Sequence, residues 1–176
     1  SFLPKGTDKW NGIKIILDGV FNHTGADSKY FNKFNHYDTV GAYQSQKSPY
    51  YNWYDFSEYP DKYSCWWGID TLPQIKDNNQ SFSKYIAGKG GIIEKYMKMG
   101  ILGFRLDVVD ELLQNTLNKI CTSVRRVKKD ALILGEVWED ASNKEAYGEL
   151  REYFAGKQLD SVMNYPFYDA ILGFVN

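Results

Sequence analysis

Gly103-Phe104-Arg105-Leu106-Asp107-Val108-Val109 reads as a short buried strand ending on a carboxylate, and Leu132-Ile133-Leu134-Gly135-Glu136-Val137-Trp138 reads the same way. Short apolar runs of this kind form strands covered on both faces. Between them Leu113, Leu117, Ile120, Val124 and Val127 recur at helical spacing, a single stripe along one face. Strand, helix and strand in that order make a parallel pair joined by a right-handed crossover. Acids at the carboxyl ends of neighbouring parallel strands converge on one spot. That arrangement suits glycosidic-bond chemistry. One carboxyl protonates the leaving oxygen, and the other stabilises or captures the oxocarbenium-like carbon.

The same alternation extends outward. Gly12 to Asp18 is a β-branched apolar run and predicts an earlier strand; Leu159 to Met163 predicts a later one. Ser81 to Ala87 predicts a short helix. Ile92, Ile93, Tyr96, Met97 and Met99 resume helical spacing and stop at Gly100. Arg125, Arg126, Lys128 and Lys129 complement the carboxyl end of their helix and read as a solvated terminus. Ser142 and Glu145 form a Ser-x-x-Glu capping box, which predicts a helix to about Phe154 with Gly156 as its stop. Phe167 to Val175 reads as the opening of another helix.

Residues 23–80 carry no sustained periodicity and are rich in Asn, Asp, Ser, Gly and Tyr; half of Tyr50 to Trp67 is aromatic. A stretch this long is functional or a small subdomain. The reading is therefore α/β: residues 1–22 and 81–176 form one unit, and 23–80 an insertion after the first strand.

The 176 residues favour one domain, and 43% of them are apolar. A net charge of −1 gives no reason to expect nucleic acid or an anionic membrane as partner. No run is apolar and long enough to span a bilayer. No leader is visible at Ser1, which leans the compartment towards the cytoplasm over secretion. Cys65 and Cys121 match no metal spacing and read as two unpaired thiols.

Arg105 and Asp107 are two residues apart and share a strand face, so the guanidinium should keep Asp107 ionised and oriented, as a nucleophile requires. Trp138 stands in the same relation to Glu136, and an apolar neighbour should raise that acid's pKa and keep its proton available for donation. An isolated Arg-x-Asp is more often a structural ion pair, and a lone strand-ending Gly-Glu is equally weak. What gives them weight is a third element, Asp18-Gly19-Val20-Phe21-Asn22-His23, at the end of the first strand. His23 alone would more often be a hydrogen-bonded structural residue.

The three elements together resemble the signatures of glycoside hydrolase family 13, the α-amylase family, in its order and roughly its spacing. Asp160-Ser161-Val162-Met163-Asn164-Tyr165-Pro166-Phe167 is similar to the neopullulanase, cyclomaltodextrinase and maltogenic amylase group. The resemblance implies a (β/α)8 TIM barrel, of which about four strands are visible, and a domain-B-like insertion walling the cleft. It implies Asp107 as nucleophile, Glu136 as acid/base and Arg105 as the group holding the nucleophile. Asp18 would support Arg105, and His23 would contact the sugar at the cleaved subsite. Trp138, Trp66 and Trp67 are candidate sugar contacts, although most rings of the insertion read as its own small core. Asn22 matches a position that binds calcium in many relatives; calcium is possible and no cofactor is required.

The implied activity is retaining hydrolysis of an α-glucan: maltodextrins, pullulan or cyclomaltodextrins. Alternatives are an α-1,6-preferring debranching enzyme and a non-catalytic carbohydrate-binding or assembly relative. Leu72-Pro73-Gln74-Ile75-Lys76 matches that group loosely. Val108-Val109-Asp110-Glu111 and Trp138-Glu139 depart from it, leaving the linkage balance open. The family's third carboxylate, in an Asn-His-Asp motif, would follow Asn176. The expectation is a middle segment of a barrel enzyme, with little activity alone, whose copies could pair as a homo-oligomer closing the half barrel.

Overall fold

A computed structural model describes residues 12–155 and 158–175. In chain order its elements are β1 (Ile16–Gly19), β2 (Phe56–Glu58), β3 (Lys62–Tyr63), α1 (Gln80–Ala87), α2 (Ile92–Lys98), β4 (Gly103–Leu106), α3 (Gln114–Val127), β5 (Leu132–Gly135), β6 (Glu145–Ala146), β7 (Glu149–Leu150), β8 (Ser161–Val162) and α4 (Tyr165–Val175). The chain divides into two compact units, Ser1–Gly19 with Ser83–Asn176, and Val20–Phe82.

The first unit is a four-stranded sheet in the order β1-β4-β5-β8, with every pair parallel. The four strands are those the apolar runs predict, although each is shorter than its run. The ladder outlasts the formal strands. Asp107 N–H donates to Gly19 O at 3.2 Å, Glu136 N–H to Leu106 O at 2.9 Å and Met163 N–H to Gly135 O at 2.9 Å. Each residue at the carboxyl rim is thus fixed by the end of the strand beside it.

Alternation sorts the two faces. Phe104 and Leu106 of β4 and Ile133 of β5 are buried, as are Ile93 and Met97 of α2 and Leu117, Ile120, Cys121 and Val124 of α3. Arg105 and Asp107 have the opposite parity and are only half-buried. Gly103 is required by close approach, because a Cβ there would collide with Leu132 O across the β4–β5 pair.

Two sequence expectations are corrected here. Residues 142–154 do not form a helix. They form a β6–β7 hairpin, antiparallel with Glu145 opposite Leu150, turning through Tyr147 and Gly148 at positive φ of 55° and 73°. Asp140 Oδ1 accepts from both the backbone N–H (2.9 Å) and the hydroxyl (2.7 Å) of Ser142. The serine is therefore committed backwards to a local turn instead of forwards to a helix. The proposed stop, Gly156, lies outside the described residues, as do residues 1–11 of the predicted first unit.

The basic end of α3 is also more than a solvated terminus. Arg126 Nη1 reaches Glu94 Oε1 of α2 at 2.6 Å, and Arg125 Nη2 lies 3.0 Å from both Gln158 O and Asp160 Oδ1.

The second unit has little regular structure. The β2–β3 pair is antiparallel, and Asn22 to Thr24 pairs with Pro73 to Ile75. Its core is aromatic. Phe31, fully buried, has ring centroids of Tyr63 and Tyr54 at 4.7 and 4.9 Å. Such contacts contribute beyond burial alone. Cys65 and Cys121 are free thiols. Among the described residues no helix is long and apolar enough to cross a membrane.

Candidate active site

Arg105 organises the rim of the sheet. Its Nη1 lies 2.7 Å from Asp18 Oδ1 and 2.5 Å from Asp107 Oδ1, and its Nη2 lies 2.8 Å from Glu136 Oε2. Its Nε donates to Met163 Sδ at 3.5 Å. One cation therefore faces three carboxylates carried on β1, β4 and β5, and the planar fork of arginine lets it hold them in separate directions. The Glu136 carboxylate also bears on Asp107.

Glu136 is saturated with donors. Oε1 accepts from Trp138 Nε1 at 3.0 Å and from the Tyr165 hydroxyl at 3.1 Å. Oε2 accepts the Val108 N–H at 3.0 Å as well as Arg105 Nη2. Val108 delivers that N–H from a left-handed backbone, φ 36° and ψ 53°, a conformation that costs a β-branched residue on the order of 1–3 kcal/mol.

This arrangement reverses the expected acidities. Burial raises Asp107 above the usual carboxylate range, and the adjacent Glu136 charge adds to the shift; Arg105 only partly offsets them. Burial also pushes Glu136 upward, but the hydrogen bonds from Trp138, Val108 and Tyr165 and the Arg105 charge outweigh it, so Glu136 lies low. Trp138 therefore acts through its polar N–H, not as the apolar wall read from the sequence. The two shifts thus run in opposite directions, Asp107 upward and Glu136 downward.

Of the sequence-predicted residues, Asp18, Arg105, Asp107, Glu136 and Trp138 meet here. His23, Trp66 and Trp67 lie in the second unit and stack on one another: His23 on Trp66 at 5.2 Å and Trp66 on Trp67 at 5.3 Å between centroids. Trp67 is 67% exposed and adopts a left-handed φ of 50°. Asn22 is buried, with its carbonyl accepting from Ile75 N–H at 2.9 Å. Among the described residues no three His, Cys, Asp or Glu side chains gather to hold a metal. Residue-by-residue reading missed Tyr165, Met163 and the Val108 N–H. Tyr165 and Met163 lie in the quoted Asp160–Phe167 stretch, but nothing local marks them as partners of Glu136 or Arg105.

The description "Alpha amylase, catalytic domain" matches residues 6–176. The chain belongs to the α-amylase family. It is 38% identical to an amylopullulanase of Thermoanaerobacterium thermosulfurigenes, aligning 93% of this chain with 9% of that protein. It is 35% identical to a cyclomaltodextrinase of Thermoanaerobacter pseudethanolicus, over 93% of this chain and 27% of that one. The cyclic α-maltosyl-(1→6)-maltose hydrolase of Arthrobacter globiformis superposes with a TM-score of 0.78 at 25% identity, covering 94% of this chain and 35% of the other. The chain thus spans well under half the length of the proteins it matches. Its four parallel strands are part of the family's (β/α)8 barrel.

Proposed function

We propose that the protein carrying this chain hydrolyses α-glycosidic bonds of maltodextrins, pullulan or cyclomaltodextrins by double displacement. The observation that supports this most is the single guanidinium spanning Asp107 and Glu136 at the ends of adjacent strands. A guanidinium that reaches both carboxyls keeps them close together, as a retaining mechanism requires. Asp107 attacks the anomeric carbon while Glu136 gives a proton to the leaving oxygen, forming a glycosyl-enzyme. Glu136 then takes a proton from water, which attacks the same carbon and releases Asp107. The starting state needs one proton on the pair. Glu136 carries it when the leaving oxygen is protonated.

Asp18 and Arg105 hold the nucleophile, and Trp138 borders the acid. His23, Trp66 and Trp67 offer stacked ring faces suited to sugar.

Trapping with a fluorosugar, followed by peptide mass mapping, tests the assignment. Label on Asp107 and product of retained anomeric configuration are expected; label elsewhere or inversion would refute it. Glu136→Gln should cost about 10²–10⁴-fold in kcat on substrates with a poor leaving group. Products from pullulan separate linkage choices: panose or isopanose for α-1,4 cleavage, maltotriose for α-1,6. Binding without turnover would favour the non-catalytic reading, which the presence of both acids disfavours. The 176-residue chain alone, with one open four-stranded sheet described, is expected to turn over little.

A further inference from the structure

The hairpin that replaces the expected helix lies against the turn that follows Asp107. Lys144 Nζ bonds Asp110 Oδ2 at 3.0 Å and Glu139 Oε2 at 2.5 Å. One ammonium therefore ties the loop after β4 to the loop after β5. Arg151 is 3% exposed. Its Nη2 donates to the carbonyls of Asp110 and Leu112, both at 2.9 Å, and its Nη1 to Gln114 Oε1 at 3.0 Å. The Tyr147 hydroxyl donates to Glu111 O at 2.9 Å. Apart from Glu139, the anchors fall within or shortly after the turn Val109–Glu111.

At the head of that turn stands Val108, whose left-handed backbone aims its N–H at Glu136 Oε2. Val109 N–H continues the contact to Glu136 O at 3.2 Å. A β-branched residue does not hold this conformation without support from its surroundings. Arg151 and Lys144 bond the residues that follow it, at Asp110, Leu112 and Gln114.

We propose that Lys144 and Arg151 are positioning residues for the acid pair: the hairpin clamps the turn after Asp107 so that Val108 presents its N–H to Glu136. Neither side chain touches the reacting atoms. The proposal rests on reading Asp107 and Glu136 as the reacting acids, and deepens it. The other groups facing Glu136 are Arg105 and Asp107 from the β4 end, Trp138 beside it and Tyr165 of α4; those facing Lys144 are Asp110 and Glu139.

The test uses the full-length protein carrying Lys144→Met, Lys144→Arg, or Arg151→Lys. The carboxyl ¹³C signal of Glu136 is titrated, and kcat and KM are measured on maltooligosaccharides. With the N–H displaced, Glu136 should bind its proton about threefold or more tightly, a titration midpoint higher by about half a unit. kcat should fall about tenfold, with KM within about twofold of wild type. Lys144→Arg should restore most of both. Lys144 is the partly exposed member, so its variants keep the test informative if Arg151→Lys fails to fold. A lowered Tm with an unmoved Glu136 midpoint and unchanged kcat would overturn the clamp and leave the hairpin merely structural. Undiminished turnover by Asp107→Asn would instead refute the acid assignment, while the Glu136 midpoint still reports on the clamp.

Discussion

Trp138 donates its indole N–H to Oε1 of Glu136 at 3.0 Å, two residues along the chain from the acid it serves. A hydrogen bond to a charged carboxylate favours the ionised form, so this tryptophan lowers the pKa it was expected to raise. Trp138→Phe should keep the ring and remove the donor. The Glu136 pKa then rises, and the alkaline limb of kcat/KM in the full-length protein moves up by about half to one unit. An unmoved limb would show that the bond is not made in the working enzyme.

Arg105 compensates three carboxylates at once. Arg105→Met leaves Asp18, Asp107 and Glu136 facing one another with no cation. At about pH 7 this should cost on the order of 2–4 kcal/mol in urea unfolding, somewhat less than for a fully buried pair. Near pH 4, where the carboxyls take up protons, the cost should shrink. A penalty independent of pH would mean that the loss is one of packing.

Glu94 links α2 to α3 and is held down to about 2 by Arg126 first, then by the Gly90 N–H and Lys98. A carboxyl lowered in the folded state stabilises fully above its free value near 4.3, and that contribution disappears as pH falls towards 2. Glu94→Gln should therefore be less stable than wild type at neutral pH. The gap between the two should close between about pH 5 and pH 2, as followed by thermal unfolding. A gap that persists in acid would show that the carboxylate charge is not the source.

α4 exposes Phe167, Tyr168, Ile171, Leu172, Phe174 and Val175, apolar side chains of the kind that drive association when they cluster. Pairing of two copies of the 176-residue chain, the homo-oligomer expected from the strand count, predicts a dimer mass by light scattering that falls when Phe174→Ser is introduced. A clean monomer at high concentration would count against it.

The strands at Gly103 and Leu132, and the helix between them, were legible because their signals are local. A short apolar run and a stripe at helical spacing need only neighbours in the chain to be read. The same localness misled at Ser142. Its capping-box spacing with Glu145 is real, yet Asp140 takes the hydroxyl, and the buried Arg151 finds its carbonyl partners near Asp110. Hydrogen bonds across about forty residues outweigh a cap whose helix would have no apolar stripe to bury. The insertion was legible only as aromatic and aperiodic, since ring packing around Phe31 follows no sequence period.

The residue order by itself determined a parallel α/β sheet with Asp107 and Glu136 one strand apart at its carboxyl rim, because burying apolar strands in that order brings their ends together. Only the tertiary structure decided which of the two carboxyls is raised and which is lowered. Acidity depends on the donors and charges packed around a carboxyl, and Tyr165, the Val108 N–H and the arms of Arg105 reach Glu136 from separate parts of the chain.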